Sequence, residues 1–126
     1  MIAGIGIDTV SISRFEKLIE RYGARFLEKV FTDSERAEGG RRVAQASFFA
    51  ARFAAREAFY KALGTGWGRG LPLKEVSVIT GEGGRPALIL GPRMVLELEE
   101  RGISHQHVSL THDGDSAVAI VILETN

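Results

Sequence analysis

The strongest constraint in this sequence is one long helical signal, Val43 to Leu63, built of Ala, Phe, Arg, Glu and Leu and stopped by Gly64. Between Ser47 and Leu63 its only charges are Arg52, Arg56, Glu57 and Lys61. Phenylalanines and alanines on most sides leave no wide polar face for solvent, so the helix is expected to be buried on most sides. Such a helix must sit centrally, with the other elements wrapped around it. At 126 residues the chain is expected to be one domain, residues 1–126. A chain of that size buries roughly two-thirds of its unfolded surface without needing staples.

The flanking segments supply the wrapping. Ile2 to Val10, rich in Ile and Gly, reads as a buried strand in which Gly4 and Gly6 admit another backbone closely. Ser11 or Ser13 caps a helix through Tyr22, Gly23 closes it, and a second helical piece runs from Ala24 to Val30. Thr32-Asp33-Ser34-Glu35 has capping-box spacing and starts another helix, which the basic turn Gly39-Gly40-Arg41-Arg42 interrupts. Gly64 to Pro72 reads as a loop. Glu75 to Thr80 and Pro86 to Leu90 read as strands joined across Gly81-Glu82-Gly83-Gly84. Pro92 and Gly102 bracket a helix over Arg93 to Arg101. His107 to His112 and Ser116 to Leu123 form a hairpin across Asp113-Gly114-Asp115. Strands and helices mix without regular alternation, so the class is α+β, an antiparallel-rich sheet packed against the long central helix.

Composition narrows the chemistry. There is no cysteine, which removes disulfides and thiolate metal sites. Sixteen basic residues balance 16 acidic ones, so bulk attraction to nucleic acid is not indicated. No apolar run approaches the roughly 20 residues of a membrane helix, and Met1 to Ile7 is too short for a signal-peptide core. A soluble, cytoplasmic protein is the expectation.

A few residues stand out against that background. Asp8 ends an apolar strand, where a carboxylate must be satisfied by donors or by a cation. Capping of the following helix is the alternative reading. Phe53, Glu57 and Lys61 form one stripe of the long helix, with Lys61 roughly 6 Å beyond Glu57 along the axis. That stripe is either an ordinary i,i+4 ion pair or the wall of a site. His112 and Asp113 close a strand beside the hydroxyls of Ser109 and Thr111; the His is well placed for a phosphate or a proton, or is simply structural. His105 and His107 lack the partners of a zinc site. The backbone amides of Gly64-Thr65-Gly66 and of Gly81 to Pro86 can cradle phosphate or a base, although neither matches a phosphate-loop pattern. Arg14, Leu18 and Arg21 share a helical face, with Arg25 and Phe26 following. Such a face suits an acidic helical partner, or is simply solvated.

Read together, the segments GIGIDTVSISRF, FTDSE, RFAAREAFYKALGTG, the GGRP turn and HVSLTHD resemble, in order and spacing, the holo-acyl-carrier-protein synthase type of phosphopantetheinyl transferase. The resemblance implies that family's α+β fold, an Mg²⁺-dependent transfer of 4'-phosphopantetheine from coenzyme A to acyl carrier protein in fatty acid biosynthesis, and a homotrimer with active sites between protomers. It implies Asp8 and Glu57 as metal ligands, and Glu57 with Lys61 as the catalytic pair. Coenzyme A would be met by Lys61, Gly64, Gly84, Arg85, Pro86, Ser109, Thr111 and His112. Carrier protein would be met by Arg14, Leu18, Arg21, Arg25 and Phe26. One departure is Arg56, where the family commonly has Lys. A fork replaces a point charge, so no phosphate contact carries over to it. The stretch between Glu35 and Phe48 is short, which leaves open a phosphate contact for Arg41 or Arg42.

Two other readings compete. Gly4-Ile5-Gly6-Ile7-Asp8 also resembles the trimeric metal-dependent cyclodiphosphate synthases, which need a His two residues after the Asp; here Val10 stands there. A non-catalytic module that binds acyl carrier protein through its basic helix would need neither Asp8 nor Glu57.

Overall fold

A computed structural model describes residues 1–65 and 71–126. The chain runs β1 (Ile2–Ser11), α1 (Ile12–Val30), α2 (Asp33–Gly40), α3 (Gln45–Leu63), β2 (Val76–Thr80), β3 (Pro86–Leu90), α4 (Pro92–Glu100), β4 (Ile103–Asp113) and β5 (Ser116–Thr125). Helix α3 is the central helix expected from the sequence, starting two residues later than its apolar signal and closed by Gly64 at φ 82°. Of the glycine-rich stretch Gly64 to Pro72 read as a loop, residues 66–70, which include Gly66, lie outside the described residues.

All strand pairing is antiparallel. One sheet has the order β1-β5-β4 and a second pairs β2 with β3. Strand β5 alternates strictly, and Ala117, Ala119, Val121 and Leu123 are fully buried against α3 while the residues between them face the other way. The core continues through Ala58, Phe59 and Leu63 of α3, Val76 and Val78 of β2, and Met94 and Leu98 of α4. A second cluster, centred on Phe15, Phe31 and Phe49, joins α1 to the start of α3.

The two glycines of β1 behave as their positions suggest. A Cβ on Gly6 would lie 1.8 Å from the Ala58 carbonyl oxygen, and one on Gly4 would lie 1.9 Å from that of Ala62. Backbone therefore meets backbone between β1 and α3. The expectation that β1 is buried needs correction, however. It is an edge strand, and only its glycine face is covered; Ile5 and Ile7 on the other face are 57% and 59% exposed. An isoleucine run reads as buried on both faces, but among the described residues only one face has a helix to lie against.

Local capping signals mostly hold. Thr32 and Glu35 form the reciprocal capping box of α2. Helix α1 carries a break at Gly23, with φ 61° and ψ −147°, which separates its two expected pieces. Ser11 caps it, and Asp115 reinforces the cap from the β4–β5 turn, accepting from the Ser13 amide at 2.8 Å and from the hydroxyls of Ser11 and Ser13. Asp8 is therefore not the cap. Glu75 plays the corresponding part for α4, accepting from the amides of Arg93 and Met94.

Arg56 points into the protein. Both it and Glu35 are buried, and the guanidinium grips the carboxylate through both terminal nitrogens, while its Nε donates to the Leu73 carbonyl at 3.1 Å. Glu35 also accepts from the Val78 amide at 3.1 Å. The capping-box glutamate thus ties α2, α3 and β2 together. A fork is what this arrangement needs, since a single ammonium could not span both carboxylate oxygens and a carbonyl in a planar array.

Candidate active site

The close β1–α3 packing sets the side chain two residues beyond Gly6, on the same strand face, against the open stripe of α3. That side chain is Asp8. Lys61 Nζ donates to Asp8 Oδ1 at 2.8 Å and to the Ile7 carbonyl at 3.2 Å. The hydrogen bond to Asp8 and the Asp8 and Glu57 charges hold the Lys61 ammonium above its ordinary pKa. Lys61 therefore bridges to the neighbouring strand. Asp8 Oδ2 is buried and has no hydrogen-bond partner among the described residues. A buried carboxylate oxygen without a donor is costly, and a cation is the natural remedy. Phe53 and Glu57 are half-buried and Lys61 is exposed, whereas most other α3 side chains are covered, so this stripe is the helix's open face.

On the far edge of the same sheet β4 carries a second set. The rows Asp8–Ala119–Leu110 and Val10–Ala117–His112 place β5 between Asp8 and His112. Two strand spacings separate the edges by roughly 10 Å. A single chain thus does not bring Asp8 and its Lys61 partner together with His112. Strand alternation also divides the β4 set: His112 lies on the α3 face, and Ser109 and Thr111 lie on the outer face with Ile7 and Ile120.

Of the cavities along β4, two hold residues singled out from the sequence. One, of about 430 Å³, is lined by Arg42, Ser47, Phe48, Arg52, Thr111 and His112 among others. Here two guanidinium groups meet the Phe48 ring, with Arg52 3.8 Å and Arg42 5.2 Å from its centroid. Arg52 is buried, its Nη2 donates to Thr80 Oγ1 at 3.3 Å, and its Nε has no partner among the described residues. Burial works against the Arg52 charge, and Glu38 and Glu35 support it. Burial alone would raise the Glu38 carboxyl, but hydrogen bonds from Thr80 and Arg42 and the charges of Arg52 and Arg42 bring it below its ordinary value. The second cavity, of about 510 Å³, lies between β3 and β4 and joins Arg85 and Pro86 to Gln106, His107 and Ser109. Gly84, at φ 78°, sits in the turn just before Arg85.

Sequence reasoning missed Arg52. The spacing Phe48–Arg52 was a legible i,i+4 stacking pair, but nothing local told that its charge would be turned inward with an unpaired Nε. For the basic face of α1, Arg14, Leu18, Arg21 and Arg25 are exposed. Phe26 instead packs against Phe15, 5.6 Å between ring centroids, and the break at Gly23 separates it and Arg25 from the first helical piece. None of the described helices is long and apolar enough to cross a membrane.

Comparison with known proteins gives this arrangement a context. Residues 4–121 match the family described as the 4'-phosphopantetheinyl transferase superfamily. The holo-[acyl-carrier-protein] synthase of Syntrophus aciditrophicus is 46% identical over 124 residues, covering 98% of this chain and 97% of its own. Among solved structures, the holo-[acyl-carrier-protein] synthase of Neisseria meningitidis superposes with a TM-score of 0.93 at 34% identity, over 99% of this chain and 100% of its own. That of Helicobacter pylori, in complex with coenzyme A, superposes with a TM-score of 0.84 at 31% identity, over 95% of this chain and 99% of its own.

Proposed function

The chain belongs to the 4'-phosphopantetheinyl transferase superfamily, and from that premise we propose that it is a holo-acyl-carrier-protein synthase. It transfers 4'-phosphopantetheine from coenzyme A to a serine hydroxyl of apo-acyl carrier protein, releasing 3',5'-ADP, in the service of fatty acid biosynthesis. The observation that carries the reading is Asp8, a carboxylate set by a glycine strand against the Glu57–Lys61 stripe, with one buried oxygen that has no partner among the described residues.

Asp8 and Glu57 would hold the metal. Among the described residues no three His, Cys, Asp or Glu side chains form a metal cage. Two carboxylates completed by water and substrate phosphate are the donor set Mg²⁺ favours. When bound, Mg²⁺ supplies Lewis acidity and a template for the pyrophosphate. Lys61, on a long exposed stem, offsets charge on the transferring phosphoryl group, and Gly64 at the helix end lets the ligand approach the backbone. The protein's work in such a transfer is positioning and charge neutralisation.

The remaining coenzyme A contacts belong to the β4 side. Arg85, Pro86, Gly84 and Ser109 would meet the adenosine end, and His112 and Thr111 the phosphates. The buried Arg52 Nε, without a partner among the described residues, and the partly exposed guanidinium of Arg42 beside it make the neighbouring cavity an anion site, so both arginines join that set. Because Asp8 and His112 sit on opposite edges of one sheet, a complete site needs the β1 edge of one copy beside the β4 edge of another. A heterologous contact that closes after three copies does this. It would also cover Ile5 and Ile7, apolar surface that a lone protomer leaves in water. The reading is thus a homotrimer, with a cytoplasmic setting compatible with a cysteine-free chain. Arg14, Leu18 and Arg21 on the first piece of α1, with Arg25 and Phe26 on the second, would receive the acidic helix of the carrier protein.

The test is the intact mass of apo-acyl carrier protein after incubation with this protein, coenzyme A and Mg²⁺, beside a chelator control. A gain of one phosphopantetheine that chelation abolishes supports the reading. No gain with folded protein and competent carrier refutes it.

A further inference from the structure

Asp8 and Lys61 differ sharply in their freedom. The Asp8 side chain is 11% exposed and its strand is clamped between β5 and α3, whereas the Lys61 side chain is 56% exposed at the end of a four-carbon stem. Lys61 Nζ occupies Asp8 Oδ1, the oxygen next to the one without a partner among the described residues. An ammonium and a divalent cation cannot share a single carboxylate without repelling each other, unless an anion comes between them. The carboxylate cannot move to resolve this, but the lysine can.

We propose that Lys61 guards Asp8, competing with the divalent cation for its carboxylate until the pyrophosphate of coenzyme A draws the ammonium away. The inference rests on the proposed metal and coenzyme A site. Metal and coenzyme A are then positively coupled, and by linkage each raises the affinity of the other by the same factor. Part of that coupling is direct, because phosphate oxygens complete the metal's shell. The other part passes through Lys61 and disappears when its charge is removed. The guard also limits divalent cations bound without substrate, because the ammonium holds their place.

The experiment titrates Mn²⁺ into the full-length protein, following free Mn²⁺ by electron paramagnetic resonance, with and without coenzyme A and with no carrier protein present. Lys61 is exposed, so Lys61→Met is expected to fold, and Lys61→Gln provides a second neutral variant. In the absence of coenzyme A both variants should bind Mn²⁺ about tenfold more tightly than the parent, and the enhancement by coenzyme A should shrink by a comparable factor. Asp8→Asn should abolish Mn²⁺ binding in every background. If Asp8→Asn removes Mn²⁺ binding but the lysine variants bind no more tightly than the parent, the guard is overturned and the metal site stands. If Asp8→Asn leaves Mn²⁺ binding unchanged, the metal site falls and the guard with it.

Discussion

Gly6→Ala is the sharpest single perturbation of this fold. The new Cβ would lie 1.8 Å from the Ala58 carbonyl oxygen and 2.6 Å from the Ala62 amide nitrogen, where contacts under 3.0 Å essentially never occur. Both colliding atoms are helix backbone, so no side chain can swing aside, and β1 must move away from α3 by more than about 1 Å. Overpacking of this kind costs about 1–3 kcal/mol, and a backbone clash belongs at the upper end. For a chain of this length that corresponds to a fall in Tm of roughly 10 °C. The displacement also carries Asp8 away from Lys61 and Glu57, and a misplacement of about 1 Å near reacting groups costs on the order of 100-fold in rate. Thermal unfolding by circular dichroism, paired with the carrier-mass assay well below both melting points, reads the two effects separately. Gly40→Ala is the control, since nothing lies within 4 Å of its added Cβ and it ends a helix at ordinary φ; it should leave Tm unchanged or slightly raised. A Gly6→Ala protein that melts within about 2 °C of the parent and keeps its transfer rate would refute the argument that β1–α3 contact positions the site.

The buried pair gives a second expectation. Arg56→Met alone should lose about 3–5 kcal/mol in urea denaturation, whereas Glu35→Leu with Arg56→Met should recover much of it, less what the Thr32 and Val78 amides lose with Glu35. Asp115 is held below its ordinary pKa by hydrogen bonds from the Ser11 hydroxyl and from the Ser13 amide and hydroxyl. Its contribution is therefore present above the unfolded aspartate pKa and is lost as pH falls through the lower folded value. Asp115→Ala should lower Tm at pH 7, with the gap closing below about pH 4; a gap constant with pH would remove the carboxylate from the account. Arg52→Met should raise the KM for coenzyme A about tenfold, with little change in the KM for carrier protein. Arg14→Ala combined with Arg21→Ala should do the opposite, raising the carrier KM and flattening its salt dependence.

Much of the architecture was legible because its signals are local. The reach of α3 follows from an apolar run with a glycine stop, the start of α2 from a capping box, and the kink in α1 from Gly23. Gly4 and Gly6 announced a close backbone approach, and the order of the motifs pointed to the family before any coordinates. The errors and omissions share a cause. The isoleucines of β1 read as buried because hydrophobicity does not say whether a neighbour exists to cover them. Asp115 reads as a turn residue because the helix it caps begins 103 positions earlier, at Ile12. Arg52 and Arg56 sit four apart in one helix like any exposed pair; only packing decided that Arg56 would find Glu35 and that Arg52 would be left beside a cavity with a nitrogen that has no partner among the described residues.

The sequence by itself determined the elements, their caps and the kinds of residue available for chemistry, since these depend on neighbours within a turn or a strand. Tertiary structure decided which of those residues meet. It put Asp8 against Lys61 across 53 positions and separated Asp8 from His112 by the width of a sheet. Long-range pairing depends on how faces pack, and a linear pattern of residues does not encode that directly.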